Sequence, residues 1–424
     1  MKVHKASTLK TPDASPYSRT LAGKRLADQN STGQNSIGQS RQSQKNQRRD
    51  RRSSPLKLLV MSTVGFALAL MTWEGILRLT VEVSQGISDH PALGKIDSPG
   101  PMLHTREGFN RTRLNSLGMR AAEPSPKQPG DYRILMLGDS FTRADEVSDG
   151  LNFSDRLQAS FSSAQPTLEP KQPFTEQVQV INAGKPSASP AGYLYAASFH
   201  NQISAPDSTV IQLTEADFTL DMESDRAEFY LKKKGKADYE IVHNPEFGSA
   251  EPLAQAVIEY APWLRSLMQL STLRVGGRNL SSFLSPIDSS DTEEPTPIPT
   301  ESKRLQAEDA AIIRWTVQQL NQHFPHAVLL FIPAMNYKDA GEISSDPRNA
   351  AIEKTLTEAT AAQGVPFLNM RPDFRAYYRT KGTNLSGFNN TVPGQGHLNP
   401  IGHALVAQRL INFYSQSNSP LRKN

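Results

Sequence analysis

Two residues that could do chemistry together lie far apart in this sequence. Ser140 is the last residue of a Gly-Asp-Ser tripeptide, directly after the apolar run 134–137, and His397 lies in a glycine-flanked loop near the C-terminal end. A serine hydroxyl becomes a good nucleophile when a base takes its proton, and histidine is the usual base because its pKa is near neutral. If the fold brings them together, they form a nucleophile–base pair. Taken alone, Ser140 could equally be a solvated turn residue and His397 a structural histidine.

The residues around Ser140 predict the local structure that would expose its hydroxyl. Residues 134–137 are typical of a buried strand, Gly138 permits a tight turn at its end, and residues 150–161 have the apolar spacing of a helix. Open α/β sheets bind ligands at the carboxyl ends of their parallel strands, where backbone N–H groups can face a developing oxyanion. We expect Asp139 to support the turn through hydrogen bonds rather than to react.

Strands and helices alternate from Ser140 to the end of the chain. Further strands are predicted over 178–184, 209–213, 327–334 and 366–370, and helices over 191–199, 303–323, 347–363 and 400–414. This alternation predicts a central parallel sheet covered on both faces, in a flavodoxin-like three-layer α/β/α fold.

A long insertion, about 219–301, separates the third and fourth strands. It is predicted to contain a hairpin over 227–242, a helix over 259–273, and an acidic Pro/Ser/Thr linker over 285–300. An insertion at this edge could roof a site or be a surface excursion. The apolar stripe that includes Trp263 is more typical of core packing than of a ligand shelf.

The charge distribution divides the chain into a basic tail and an acidic body. Residues 1–57 hold 13 Lys/Arg and 3 Asp/Glu, a net charge of +10, and the whole chain carries +4, so the rest carries −6. The tail, 1–56, lacks apolar periodicity and is predicted to be disordered. It also lacks the aromatic interleaving of nucleic-acid-binding segments, so we expect no nucleic acid partner.

The absence of cysteine excludes several kinds of chemistry. Disulfides, thiol catalysis and Cys-ligated metals are all ruled out. No spacing is typical of a zinc site, an EF-hand or a phosphate-binding glycine loop, so we expect no metal, cofactor or nucleotide.

An apolar segment follows the basic tail. Residues 58–73 are 16 residues without a charge; as a helix they would span roughly 24 Å of a hydrocarbon core about 30 Å thick. Snorkelling by Lys57, an interfacial Trp73 and continuation through Ile76 and Leu77 could close the gap. A buried core helix and a cleaved signal peptide are the alternatives.

The basic residues before this segment favour a single-pass transmembrane helix over 57–80 with a cytoplasmic N-terminus. A polar lead-in over 81–130 and an enzyme-like domain over 131–416 would then be extracytoplasmic.

Five stretches, taken in order, resemble the SGNH or GDSL-type hydrolases, in particular their membrane-anchored or secreted microbial members. They are NSLGMR from 115, YRILMLGDSFT from 132, VINAG from 180, ADF from 216 and GHLNPIGHALVA from 396. The resemblance covers about 110–416. It implies that Ser140 is the nucleophile, that His397 is the base, and that the backbone N–H groups of Ser140 and Gly184 are oxyanion donors. It also implies acyl-ester cleavage or acyl transfer, often on carbohydrate-linked acetyl groups.

Two family positions differ in this chain. Where the family has Asn-Asp, this chain has Ala216-Asp217, so the side-chain oxyanion donor is missing. Loss of one such donor costs about 10²–10³ in turnover. The family also has an Asp two or three residues before the His, where this chain has Gln395 and Gly394. The comparable loss of a triad carboxylate in a serine protease costs roughly 10⁴.

A substitute for the missing carboxylate could come from several places. Gln395 could orient the imidazole through its carbonyl oxygen. Asp217, Asp373 or Glu215 could supply a carboxylate from elsewhere in the fold.

Two functions remain open from the sequence. The first is a membrane-anchored esterase or O-acyltransferase that acts through Ser140 and His397 on an acylated carbohydrate or small ester. The second is a catalytically inactive SGNH-like domain that binds a glycan or serves as an envelope assembly partner. Arg143, Asp145 and Glu146 could line the mouth of a site, although solvated loop charges are the default interpretation. His403 is expected to make packing or helix-cap contacts.

Overall fold

A computed structural model of the chain describes residues 55–80, 87–104, 107–162, 177–218, 227–235, 238–245, 247, 274–275, 278–279, 305, 307–338, 342–344 and 346–416. Residues 1–54 of the predicted tail, the predicted helix over 259–273 and the linker over 285–300 lie outside these described residues.

The first described element is a long apolar helix, α1, Pro55–Thr80. Its segment Pro55–Trp73 is long and apolar enough to cross a membrane, and none of that segment is buried within the protein. Large apolar side chains such as Met61 and Phe66 are exposed along it. The helix continues beyond Trp73 to Thr80, as the sequence predicted.

The remaining described elements are short strands and helices. The strands are β1 Ile87–His90, β2 Gly94–Asp97, β3 Gly100–His104, β4 Asn110–Leu114, β5 Asp131–Leu137, β6 Gln177–Asn182, β7 Ser208–Leu213, β8 Phe229–Lys233, β9 Tyr239–His243, β10 Arg274–Val275, β11 Arg278–Asn279, β12 Ala327–Phe331, β13 Asn336–Lys338, β14 Glu342–Ser344 and β15 Phe367–Asn369. The helices are α2 Ser140–Arg143, α3 Phe153–Ser162, α4 Pro190–Tyr195, α5 Ala197–Ser204, α6 Ala307–His323, α7 Pro347–Gln363, α8 Arg371–Lys381 and α9 Pro400–Ser415.

Five of these strands form a parallel sheet in the order β15-β12-β7-β5-β6. Numbered by their own sequence order and read from β6, the strands follow 2-1-3-4-5, which is the flavodoxin-like arrangement. All five predicted strands are present, and the predicted fold class is confirmed. β5 lies inside the sheet between β6 and β7, so the residue that follows it is surrounded by neighbouring strand ends.

The sheet is buried on both faces. On β5, Leu135 and Leu137 belong to one apolar cluster and Ile134 and Met136 to another, as alternation along a strand requires. Helices α4 to α7 contribute to the first cluster, and α3, α8 and α9 to the second. The chain therefore forms three layers, with the sheet between two sets of helices.

Some element boundaries differ from the prediction. The helix predicted over 150–161 begins at Phe153, because the Asn152 side chain accepts a hydrogen bond from the Asp155 N–H and so caps the helix. The helix predicted over 191–199 consists of two short helices, α4 and α5, which meet at Ala196. Helix α8 has no counterpart in the prediction. The hairpin predicted over 227–242 is present as β8 and β9.

The lead-in is more regular than its sequence indicates. It contains two antiparallel hairpins, β1 with β2 and β3 with β4. Its side chains attach it to the segment after Ser140: the Asn110 amide donates to the carbonyls of Asp145 and Val147 at 3.0 and 2.7 Å, and Arg120 Nη2 donates to Val147 at 2.8 Å. The lead-in is therefore part of the folded body, and its β3–β4 turn lies near the site.

Candidate active site

Ser140 is the first residue of α2, at the carboxyl end of β5. Asp139 caps this short helix, since its Oδ1 accepts from the Phe141 N–H at 2.8 Å, and its own N–H donates to Gln212 Oε1 at 3.1 Å. Asp139 therefore supports the turn, as expected. A side chain on Gly138 would collide with Thr142, so the turn requires glycine there.

His397 lies directly across from Ser140. Its Nε2 is 2.7 Å from Ser140 Oγ, although the two residues are 257 positions apart in the chain. The loop that carries it ends at Asn399, which caps α9 by accepting hydrogen bonds from the N–H groups of Ile401 and Gly402. The strand end and the final loop thus place a hydroxyl and an imidazole within hydrogen-bond distance, the contact a nucleophile and its base require.

The other ring nitrogen of His397 contacts a carboxylate from the lead-in. Glu107 Oε2 is 3.0 Å from His397 Nδ1, and the same oxygen accepts a hydrogen bond from the His397 main-chain N–H at 2.8 Å. Glu107 lies in the turn between β3 and β4. A carboxylate at this position fixes the tautomer of the imidazole and stabilises the imidazolium, so the three residues have the geometry of a Ser–His–acid triad.

The sequence did not indicate Glu107 as the partner of His397. It suggested an orienting role for Gln395, and that suggestion is wrong. Gln395 is exposed, and its main-chain N–H donates to Val392; within the described residues no hydrogen bond joins it to the imidazole. Glu107 makes the contact instead. The only signal that could have identified Glu107 is its place in the short Glu107-Gly108 turn before β4, which is weak.

The three carboxylates considered as substitutes are engaged elsewhere. They bond as follows: Asp217 Oδ2 accepts from the Thr214 N–H at 2.6 Å, Glu215 Oε1 accepts from Arg371 Nη2 at 2.9 Å, and Asp373 Oδ2 lies 3.9 Å from Arg409 Nε. Within the described residues, none of the three contacts the imidazole, so this possibility left open by the sequence is not the arrangement observed.

Two glycines allow Glu107 to reach the imidazole. Gly396 has φ +80°, and a Cβ there would lie 2.5 Å from Glu107 Oε2. Gly108 has φ +68°, and a Cβ there would lie 2.6 Å from the Glu146 carbonyl oxygen. The Asn390 side chain also holds the turn, because it accepts from the Gly108 N–H at 2.8 Å and donates to the Gly108 carbonyl at 3.1 Å. Larger residues at either glycine would displace the carboxylate.

The two predicted oxyanion donors lie on the elements around Ser140. The Ser140 N–H is in the first turn of α2, where helical N–H groups have no partner within the helix. The Gly184 N–H donates to Asn182 Oδ1 at 3.0 Å, and a side chain on Gly184 would collide with the backbone of Arg143. Gly184 therefore lies against α2, but its N–H is bonded in this state, and both donor roles stay predictions.

A cavity of about 340 Å³ opens beside Ser140. Most of the residues that line it are small or polar: Asp139, Ser140, Ser187, Ala188, Ser189, Thr214, Ala216, Asp217 and Ala227, together with Phe247. Ala216, which stands where the family has Asn, is exposed at this cavity. The space suits a small, polar ester better than a long acyl chain.

The electrostatics of the site favour a charged imidazole. Burial disfavours the imidazolium, but the hydrogen bond to Glu107 and the charges of Glu146 and Asp139 outweigh it and raise the pKa of His397 to about 9. Burial raises the pKa of Asp139 to about 6. Burial, followed by the charge of Asp139, also raises the pKa of Asp217 well above its ordinary value.

The charged residues after Ser140 are not solvated, contrary to the default interpretation. Arg143, Asp145 and Glu146 are all buried, and Arg143 Nε donates to Asp145 Oδ1 at 2.9 Å. His403 is also buried, and its ring centroid lies 5.4 Å from that of Phe153. The expectation that His403 makes packing contacts is confirmed.

Neither a protein-family profile nor a curated protein sequence matches the chain. Solved structures with similar topology include an acetyl xylan esterase, AlAXEase, at 14% identity, which covers 66% of this chain and 98% of that one with a TM-score of 0.33. A lipase/acylhydrolase from Enterococcus faecalis covers 67% and 95% at 14% identity and a TM-score of 0.34. The psychrotrophic esterase EstA from Pseudoalteromonas sp. covers 66% and 96% at 12% identity and a TM-score of 0.32.

Gly396→Ala tests whether the close approach of Glu107 sets the charge of the imidazole. The added methyl group should displace the carboxylate, so the pKa of His397 should fall from about 9 toward its ordinary value. NMR titration of the histidine ring signals in the full chain would measure this. Gly364→Ala is the matched control, because Gly364 also has a positive φ, +66°, but has no atom near the added Cβ. An unchanged His397 titration in Gly396→Ala would contradict the interpretation.

Proposed function

We propose that this chain is a serine hydrolase in which Ser140 is the nucleophile, His397 the general base and Glu107 the carboxylate partner of the base. The observation that carries the proposal is the continuous hydrogen-bonded chain from Ser140 Oγ to His397 Nε2, at 2.7 Å, and from His397 Nδ1 to Glu107 Oε2, at 3.0 Å. The sequence alone predicts a Ser140–His397 dyad and leaves its carboxylate partner open; in this proposal Glu107 is that partner.

The reaction follows from this geometry. His397 Nε2 takes the Ser140 hydroxyl proton as Oγ attacks the ester carbonyl, and Glu107 stabilises the imidazolium that forms. The negative charge on the carbonyl oxygen would be met by the N–H groups of Ser140 and Gly184. The imidazolium then protonates the departing alcohol, and the acyl group stays bonded to Ser140 Oγ. Water, activated in the same way, releases the acid; an acceptor alcohol in place of water would make the reaction an O-acyl transfer.

The lack of a side-chain oxyanion donor is expected to slow this reaction. Ala216 supplies no side-chain donor, and the Gly184 N–H must leave or share its bond with Asn182 before it can serve the oxyanion. Removal of one oxyanion donor costs about 10²–10³ in turnover in a serine hydrolase. Turnover should therefore be modest, although the triad itself is complete.

The substrate we propose is a small acyl ester, in particular an acetyl ester of a cell-envelope or extracellular carbohydrate. The small side chains around the cavity, among them Ser187, Ala188 and Ser189, leave room for a short acyl group attached to a polar alcohol. The sequence resemblance to the SGNH hydrolases favours the same substrate class.

Labelling with a fluorophosphonate probe tests the proposal. The wild-type chain should be labelled and Ser140→Ala should not, because the probe reacts only with an activated serine. Glu107→Gln should slow labelling and the hydrolysis of p-nitrophenyl acetate by about 10²–10⁴, since a neutral amide cannot stabilise the imidazolium. Gln395→Ala is the matched control and should change either rate less than about twofold, because Gln395 is exposed and surface substitutions are usually mild.

Two outcomes would overturn the assignment. If a folded wild-type chain showed no Ser140-dependent labelling, the domain would be the inactive glycan-binding or assembly module that the sequence left open. If Gln395→Ala slowed the reaction as much as Glu107→Gln, the carboxylate would be misassigned.

We also propose that α1 anchors the chain in a membrane, with the basic tail cytoplasmic and the residues from about 81 extracytoplasmic. The apolar segment Pro55–Trp73 and the excess of Lys and Arg before it support this orientation. Protease added to intact cells should digest the C-terminal body and leave an epitope at the N-terminus protected until the cells are lysed. Digestion of the N-terminal epitope in intact cells would show the reverse orientation.

A further inference from the structure

A second carboxylate approaches the same nitrogen of His397. Glu146 Oε1 lies 3.2 Å from His397 Nδ1, and Glu107 Oε2 lies 3.0 Å from it. Nδ1 carries one hydrogen, which can point at one oxygen at a time. Glu107 is the better acceptor, because its Oε2 is also held by the His397 main-chain N–H at 2.8 Å. An ordinary triad needs one carboxylate, so the second requires an explanation.

Apart from His397, the Glu146 carboxylate has few polar contacts among the described residues. It is 4% exposed, and its Oε2 is fully buried with no hydrogen-bond partner among the residues that the structure describes. Its neighbour Asp145 is paired with Arg143, at 2.9 Å, so that guanidinium already has a carboxylate. A buried carboxylate with so little compensation is costly to ionise, unless a positive charge lies beside it. Within the described part of the chain, the cation in contact with it is the imidazolium of His397, whose Nδ1 is 3.2 Å from Glu146 Oε1.

The surroundings of Glu146 are held in place rather than free to relax. The carbonyls on either side of it, those of Asp145 and Val147, accept hydrogen bonds from the Asn110 amide at 3.0 and 2.7 Å. Gly108 also lies against the carbonyl oxygen of Glu146, so closely that a Cβ on Gly108 would be 2.6 Å from it. The lead-in therefore positions both carboxylates, Glu107 directly and Glu146 through the backbone that carries it.

We propose that Glu146 is a positioning residue that acts through His397: once ionised, its buried carboxyl group holds the proton on the imidazole and so sets the pH range in which Ser140 is activated. This inference rests on the proposed hydrolase function and extends it.

The charges that face this group agree with the proposal. Burial raises the pKa of Glu146 to about 7, and the charges of Asp145 and Glu107 raise it too, whereas His397 lowers it. Glu146 and Glu107 in turn raise the pKa of His397, and Asp139 does so from the other side. At acid pH a neutral Glu146 leaves Glu107 as the main carboxylate partner of the imidazole. At alkaline pH an ionised Glu146 adds to the stabilisation of the imidazolium that forms during the reaction.

The pH profile of Glu146→Gln tests this, because the amide keeps the shape and removes the charge. In the wild type, kcat/KM for p-nitrophenyl acetate should rise with pH through the pKa of His397, since the base must be neutral to accept a proton. In Glu146→Gln that rise should move to lower pH by about one unit or more. The variant should therefore be faster than the wild type by up to about tenfold between the pKa of Glu146, about 7, and that of His397, about 9, and equal to it at lower pH, where Glu146 is neutral. It should be slower on the alkaline plateau, so the two profiles cross.

Two controls separate this from a structural role. Glu358→Gln removes a carboxylate that is exposed on α7 and should leave the profile unchanged. NMR titration of His397 in the Ser140→Ala background, with and without Glu146→Gln, reads the imidazole directly and needs no activity. A failure of the hydrolase proposal therefore leaves this test intact. A Glu146→Gln variant that loses rate equally at every pH, or that leaves the His397 titration unchanged, would overturn the proposal.

Discussion

The candidate site depends on one contact, between the Glu107 carboxylate and His397. A single oxygen accepts both the main-chain N–H and the ring N–H of the histidine, across 290 residues of chain. Two charge-assisted hydrogen bonds to one atom fix the position and the tautomer of the imidazole together. Because Glu107 belongs to the lead-in, the same contact joins the lead-in to the loop before α9. The site is therefore complete only when the lead-in lies against that loop.

The sheet could be predicted because its sequence pattern is strong. The apolar runs of β5, β7 and β12 are buried on both faces, and the helices between them repeat their apolar residues at helical spacing. The rule that parallel strands present their carboxyl ends at one edge then placed Ser140 and a C-terminal histidine at that edge. The hydroxyl–imidazole contact was therefore within reach of sequence reasoning, even though 257 residues separate its partners.

The carboxylate could not be predicted for a physical reason. Glu107 is in a hairpin turn, where neither the helical nor the strand period applies. Its role depends on long-range contacts: Asn390 holds the turn, and the carboxylate lies where a side chain at Gly396 would be. The charged residues after Ser140 were misjudged for the same reason. Loop charges are usually solvated, but Asn110 and Arg120 cover this loop, and burial of Arg143, Asp145 and Glu146 follows from that cover.

The most direct measurement is a kinetic double-mutant cycle between Glu107→Gln and His397→Ala, with kcat/KM for p-nitrophenyl acetate as the readout. If Glu107 acts only through the imidazole, its removal should have no further effect once His397 is gone, because residues that act as a unit are strongly non-additive. We therefore expect the double variant to match His397→Ala alone. Independent, additive losses would contradict the account, since they would show that Glu107 serves the reaction or the fold by another route.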